Sequence, residues 1–105
     1  MEKSIFLEVV GESPRMKILQ YLIEGRHFDF SLTDIAENSG VSWRTLHIIF
    51  PKLIKYGIVK KTREIGRAKL YIINKDNQIA KMLIELYDYI ISSNLDQYKE
   101  NEIIA

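Results

Sequence analysis

Between Ser42 and Lys75 the chain carries nine cations, Arg44, Lys52, Lys55, Lys60, Lys61, Arg63, Arg67, Lys69 and Lys75, against one acid, Glu64. Long cationic side chains with so little to neutralise them are the chemistry of phosphate contact. The flanks have the opposite sign. Residues 1–41 hold four basic and seven acidic residues and 76–105 hold two and six, so the net charge of +1 conceals successive segments of −3, +8 and −4. Other chemistries lack their residues. There is no cysteine, which removes disulfides, thiolate metal sites and a thiol nucleophile. His27 and His47 are the only imidazoles, too few for an imidazole-built metal site, and His47 has no second ligand at helical spacing, so no metal and no cofactor are expected. No glycine-rich phosphate loop or nucleophile–base pair is present, and acids such as Asp29 and Asp34 fit turns and caps; an enzyme is not expected.

The cations must be carried by particular elements. Gly40-Val41-Ser42 reads as a tight turn, glycine taking positive φ, valine filling the core and Ser42 capping a helix from Trp43 to about Tyr56. At about 100° per residue with Leu46 as zero, Ile49, Phe50 and Leu53 lie within roughly 60° and form the buried stripe. On the same scale Arg44, Ile48, Pro51, Lys52 and Lys55 fall between about 140° and 240°, facing away from the core. Trp43 and His47 lie on the flank, where packing against a neighbouring element is the favoured reading for Trp43. Pro51 removes a backbone hydrogen bond and collides with the carbonyl of His47. It predicts a kink or break: either a bend that fits the helix to a groove, or a shortened helix followed by a turn carrying Leu53 and Ile54. Gly57 closes the helix, and Ile58–Ile65 with Lys69–Ile73 read as two strands turning at Gly66-Arg67, a basic hairpin.

Upstream, Ser13 and Pro14 mark the start of a helix whose stripe is Met16, Ile18, Leu19, Leu22 and Ile23, with Gly25 as its stop. His27–Phe30 reads as a short strand. Ser31 with Asp34 forms a capping box for a helix ending near Gly40. With 105 residues the chain is expected to be one domain over 1–93, with a core over 13–74, a last helix over 77–93 and a flexible tail over 94–105. The charges at Glu2, Lys3 and Glu8 interrupt the apolar N-terminal residues, far short of a signal-peptide core or membrane span; a soluble cytoplasmic protein is the expectation.

Helix, tight turn, helix and basic hairpin, in that order within SLTDIAENSGVSWRTLHIIFPKLIKYGIVKKTREIGRAKLYIIN (Ser31 to Asn74), is the layout of a winged helix-turn-helix. The stretch resembles winged-helix regulators of the broad ArsR and MarR type, and especially small archaeal winged-helix proteins. The resemblance rests on DIAENSGVS at Asp34 to Ser42, LIKYGIVKK at Leu53 to Lys61 and GRAKLY at Gly66 to Tyr71. It implies a mainly α fold with a small β-hairpin, a helix from Trp43 in the major groove of double-stranded DNA, and a hairpin on the flanking backbone. Arg44 near the helix start could then read guanine, Ser42 and Thr45 could meet phosphates or base edges, Ile48 a thymine methyl, and Lys52 and Lys55 phosphates. The hairpin would contribute Lys60, Lys61, Arg63, Arg67 and Lys69. The cysteine ligands of ArsR-type metal sensors have no counterpart here.

The last helix has an apolar arc too wide for one neighbour. Ile79, Met82, Leu83, Leu86, Tyr87 and Ile90 are the expected seam of a symmetric homodimer, aided by Ile5, Phe6 and Val9; the alternative is a fully intramolecular helix. The reading is a homodimeric, sequence-specific DNA-binding transcriptional regulator. Its competitors are a sequence-neutral architectural DNA binder and a winged helix used to bind another protein, the latter calling for an acidic or apolar outer face.

Overall fold

The computed structural model describes the backbone of residues 4–104 and the side chains of residues 4–94. Its early helices begin where the sequence supplies a hydroxyl cap. Ser4 opens α1 (Ile5–Val10), and Ser13, followed by Pro14 in the first turn, opens α2 (Pro14–Glu24). Ser31 Oγ accepts from the Asp34 amide while the Asp34 carboxylate accepts from the Ser31 amide, so both halves of the capping box are formed at α3 (Leu32–Ser39). Gly40 ends α3 in the left-handed region at φ 72°, a conformation that costs other residues about 1–2 kcal/mol. Buried Val41 and the cap Ser42 then lead into α4 (Trp43–Lys55).

The break expected at Pro51 does not occur, nor is the helix shortened: α4 passes through the proline as one α-helix. Phe50 and Leu53, on either side of it, are both in the core, and burial of about 1.5–3 kcal/mol for each such side chain offsets the single lost hydrogen bond.

The hairpin is β2 (Val59–Ile65) and β3 (Ala68–Ile73), joined across Gly66 at φ 60°. A further strand, β1 (Phe30–Ser31), lies slightly later than the expected His27–Phe30. It pairs antiparallel with β3, Phe30 opposite Tyr71 and Ser31 opposite Leu70, giving the order β1-β3-β2. The register of β2 on β3 slips between Lys61 and Arg63, a bulge in the middle of the basic strand.

The core gathers the inner faces of α2, α3 and α4 with the base of the hairpin: Ile18, Leu22, Ile23, Ile35, Leu46, Val59 and Ile73 are fully enclosed. Phe50 meets Tyr71 edge-on, ring centroids 4.9 Å apart, tying α4 to β3. The last helix, α5 (Gln78–Ile104), enters this core through Ala80. It then carries Ile90 into a second cluster with Phe6 and Leu7 of α1. The helix expected to stop at residue 93 continues to Ile104, so the expected tail over 94–105 has helical backbone for nearly its whole length. No glycine or proline follows Gly66, and without either the sequence contains no strong stop. Among the described residues no helix is long and apolar enough to cross a membrane.

Candidate nucleic-acid interface

The N-terminal turn of α4 is fixed by its own hydroxyls. Ser42 Oγ accepts from the Thr45 amide at 3.1 Å and donates to Thr45 Oγ1 at 2.9 Å. With the Ser42 proton used in this way, the Thr45 hydroxyl is the member of the pair that can donate to an outside acceptor. The partial positive charge of a helix N-terminus sits at the same place. Along the helix the division drawn from the sequence holds: Leu46, Ile49, Phe50 and Leu53 are buried, while Arg44, Ile48, Pro51, Lys52 and Lys55 are exposed.

Trp43 departs from expectation. Instead of packing beneath a neighbouring element, its side chain is 50% exposed and meets the His47 ring edge-on, centroids 4.3 Å apart at 90°. It occupies the first position of α4, where side chains lean back past the helix end. There the half-exposed indole borders two clefts, one shared with residues of α3 and the hairpin and the other with α3. His47 is thereby occupied as an aromatic partner. The other imidazole, His27, lies against Lys75 Nζ at 3.0 Å, its Nδ1 accepting when neutral.

In the hairpin all five expected cations are exposed, yet they are not equivalent. Arg63 donates to both oxygens of Asp29 at 2.9 and 3.2 Å, and Thr62, in the bulge, donates to the same carboxylate at 2.5 Å. Those bonds, Arg63 first and Thr62 second, hold the Asp29 carboxyl below its ordinary range. Lys61 pairs with Glu64 and lowers that carboxyl in the same way. Among the described residues Lys60, Arg67 and Lys69 make no ion pair, and neither do Arg44, Lys52 and Lys55. Arg63 is thus a tie between the β1 approach and β2 as well as a surface charge, a role that alternation and composition do not reveal.

One cation was missed. Arg15, at the start of α2, shares a cleft of about 370 Å³ with Lys52, Lys55 and Tyr56. It extends the basic surface beyond the C-terminal half of α4. Arg15 stands in the acidic N-terminal segment, so a count along the chain assigns it to the wrong neighbourhood.

The expected dimer seam divides in two. Ile79, Met82 and Leu86 are exposed, and Tyr89 joins them at the same three- and four-residue spacing. Ile90 is buried against α1, and Leu83 and Tyr87 are half-buried on the chain's own core. Phe6, expected to aid the seam, is fully enclosed, with its ring centroid 5.2 Å from that of Tyr87. The arc is wide because α5 packs on both the main core and α1 while leaving a further stripe open to solvent.

The sequence matches no protein-family profile and no curated protein. Solved structures do match. MepR, a transcription regulator of the Staphylococcus aureus multidrug efflux pump MepA, superposes with a TM-score of 0.63 at 16% identity over 88% of this chain and 70% of its own. The homodimeric winged helix-turn-helix DNA-binding domain (fragment 1–100) of Mb0332 from Mycobacterium bovis gives 0.59 at 21% identity, over 89% and 81%. Sso10a-2, a DNA-binding protein from Sulfolobus solfataricus, gives 0.54 at 18% identity, over 85% and 90%. This chain is a winged helix-turn-helix. At these identities the likeness is one of fold: α3 and α4 are the helix-turn-helix, β2 and β3 the wing, and α5 the additional C-terminal helix. The winged helix places the unpaired cations of α4 and those of the wing on adjoining elements.

Proposed function

We propose that the chain binds double-stranded DNA sequence-specifically as a homodimer and regulates transcription. The observation that carries this reading is the outward face of α4. On a helix whose opposite face is fully packed, Arg44, Ile48, Lys52 and Lys55 are exposed and the three cations are unpaired among the described residues, with Lys60, Arg67 and Lys69 unpaired beside them on the wing. A protein-docking winged helix would offer an acidic or apolar face instead. Arg44, in the first turn, reads guanine bidentately; Thr45 donates to a phosphate or base edge; Ile48 packs on a thymine methyl; Lys52 and Lys55 meet phosphates. On the wing Lys60, Arg67 and Lys69 contact backbone outright, whereas Lys61 and Arg63 first exchange a carboxylate for a phosphate. The Lys61–Glu64 pair is open to water on both sides and is readily exchanged, whereas Arg63 gives up two bonds to a carboxylate that is largely covered, the costlier of the two exchanges. A non-enzymatic role accords with this chemistry.

The exposed stripe Ile79, Met82, Leu86 and Tyr89 supports pairing of α5 with its copy. Two-fold symmetry then sets two copies of α4 about 34 Å apart on one face of the duplex and calls for an inverted repeat. Selection of bound sequences from random duplexes, followed by affinities across salt concentrations, tests the reading. An enriched inverted repeat with affinity falling steeply in salt supports it. The same salt dependence with no enriched sequence would replace it by sequence-neutral binding.

A further inference from the structure

We propose that Trp43 is itself a DNA-contacting residue: the cleft between its indole and the wing seats one nucleotide of the duplex backbone, its phosphate on Arg67 and Lys69 and its deoxyribose against the indole. The inference rests on the DNA-binding reading above and names a contact which that reading lacks. The cleft, about 260 Å³, is lined by Ser31, Thr33, Trp43, Arg67, Lys69 and Tyr71. It therefore joins one large aromatic face to two cations that have no ion pair among the described residues. Glu64 lies opposite Lys69 in the strand register and feels its charge, but the bond its carboxylate accepts comes from Lys61.

Three features select a sugar-phosphate. The indole is held in place by the His47 ring and offers an apolar face at little ordering cost, which suits the carbon face of a sugar. The charge beside it is doubly positive, and the positive end of α4 adds to it, which suits a phosphate. Trp43 also borders a second cleft, whose lining includes Glu37 with Ala36 and Val41; an anion is favoured in the cleft that holds the two cations over the one that holds the acid. A backbone strand lying between a major-groove helix and its wing would pass across this cleft.

Trp43 is the sole tryptophan, so the protein's emission reports this one side chain. The wild-type protein is titrated with a duplex carrying the selected sequence, binding being followed independently by anisotropy of a dye on the DNA. The expected result is a blue shift and a severalfold fall in acrylamide quenching of the indole, both saturating with the anisotropy. Trp43→Phe keeps affinity within a few fold. Trp43→Ala loses roughly tenfold, the low end of the range for a stacked base because here the indole meets a sugar, with an unaltered salt slope. Arg67→Ala and Lys69→Ala each reduce that slope by about 0.9. If anisotropy shows saturable binding while emission and quenching stay as in the free protein, the cleft is not a nucleotide seat, although DNA binding stands. If no duplex binds even at low salt, both readings fall. The wild-type emission decides the matter even if Trp43→Ala fails to fold.

Discussion

Residues that look alike in the sequence acquire different duties once their partners are known. Arg44 and Lys60 both lack an ion pair among the described residues, but Arg44 lies in the first turn of α4 and Lys60 on β2. Arg44→Ala is expected to relax base preference, whereas Lys60→Ala weakens binding to all duplexes alike and lowers the salt slope by about 0.9. Competition between selected and scrambled duplexes measures the difference, and equal losses of discrimination would contradict it. A second residue-scale prediction concerns pH. Burial first, then the hydrogen bond Tyr87 donates to Glu24 and the charge of that carboxylate, push the Tyr87 hydroxyl up from 10.0 to about 12. The folded state thus favours the neutral phenol. Its contribution to stability is complete below the unfolded value near 10 and is lost as pH rises through the window from there to about 12. Burial raises Tyr21 as well, so Tyr87→Phe flattens the alkaline decline without abolishing it. Denaturant unfolding at a series of alkaline pH values checks this; identical declines in the two proteins would refute it.

At the scale of elements, the legible parts were those with local causes. Ser13, Ser31 and Ser42 announce helix starts because a hydroxyl cap acts within three residues, and Gly40, Gly57 and Gly66 mark turns because each sits at positive φ. The outward face of α4 was legible because helical periodicity fixes it. What the sequence withheld was nonlocal. The Asp29 to Arg63 tie spans 34 positions, and the packing of Phe6 on Tyr87 joins the two ends of the fold. No local pattern encodes either pair. Trp43 was misread because angular position says which flank a side chain takes and not whether an element lies above it. Of the two readings of Pro51, the shortened helix fails because a penalty for local geometry was weighed without the core contacts of Phe50 and Leu53. The penalty itself remains. Pro51 is exposed, so Pro51→Ala restores a hydrogen bond to the His47 carbonyl without opening a cavity and should raise stability, by up to about 3 kcal/mol. Urea unfolding reads this directly, and a less stable variant would show that the proline relieves strain elsewhere in α4.

For the molecule as a whole, three charge segments along the chain become a positive surface and a separate helix that faces other business. Arg26, after α2, donates to both carboxylate oxygens of Asp88 on α5 at 3.0 and 2.7 Å, and Tyr87 reaches Glu24 beside it. These bonds and the α1 cluster fix α5 against the winged helix while leaving Ile79, Met82, Leu86 and Tyr89 outward. Sedimentation should find a dimer. The pair of changes Met82→Glu and Leu86→Glu should convert it to a folded monomer with unchanged circular dichroism, since both positions are exposed; an unaffected dimer would place the seam elsewhere. On the proposed function, DNA lies across α4 and the wing. The most direct test of this is an NMR titration of the wild-type protein with the selected duplex, mapping shifts residue by residue. The largest changes are expected from Ser42 to Lys55 and from Lys60 to Lys69, with α1 and the outward stripe of α5 little affected. Shifts confined to α1, α2 or α5, with α4 and the wing unmoved by a bound duplex, would contradict it.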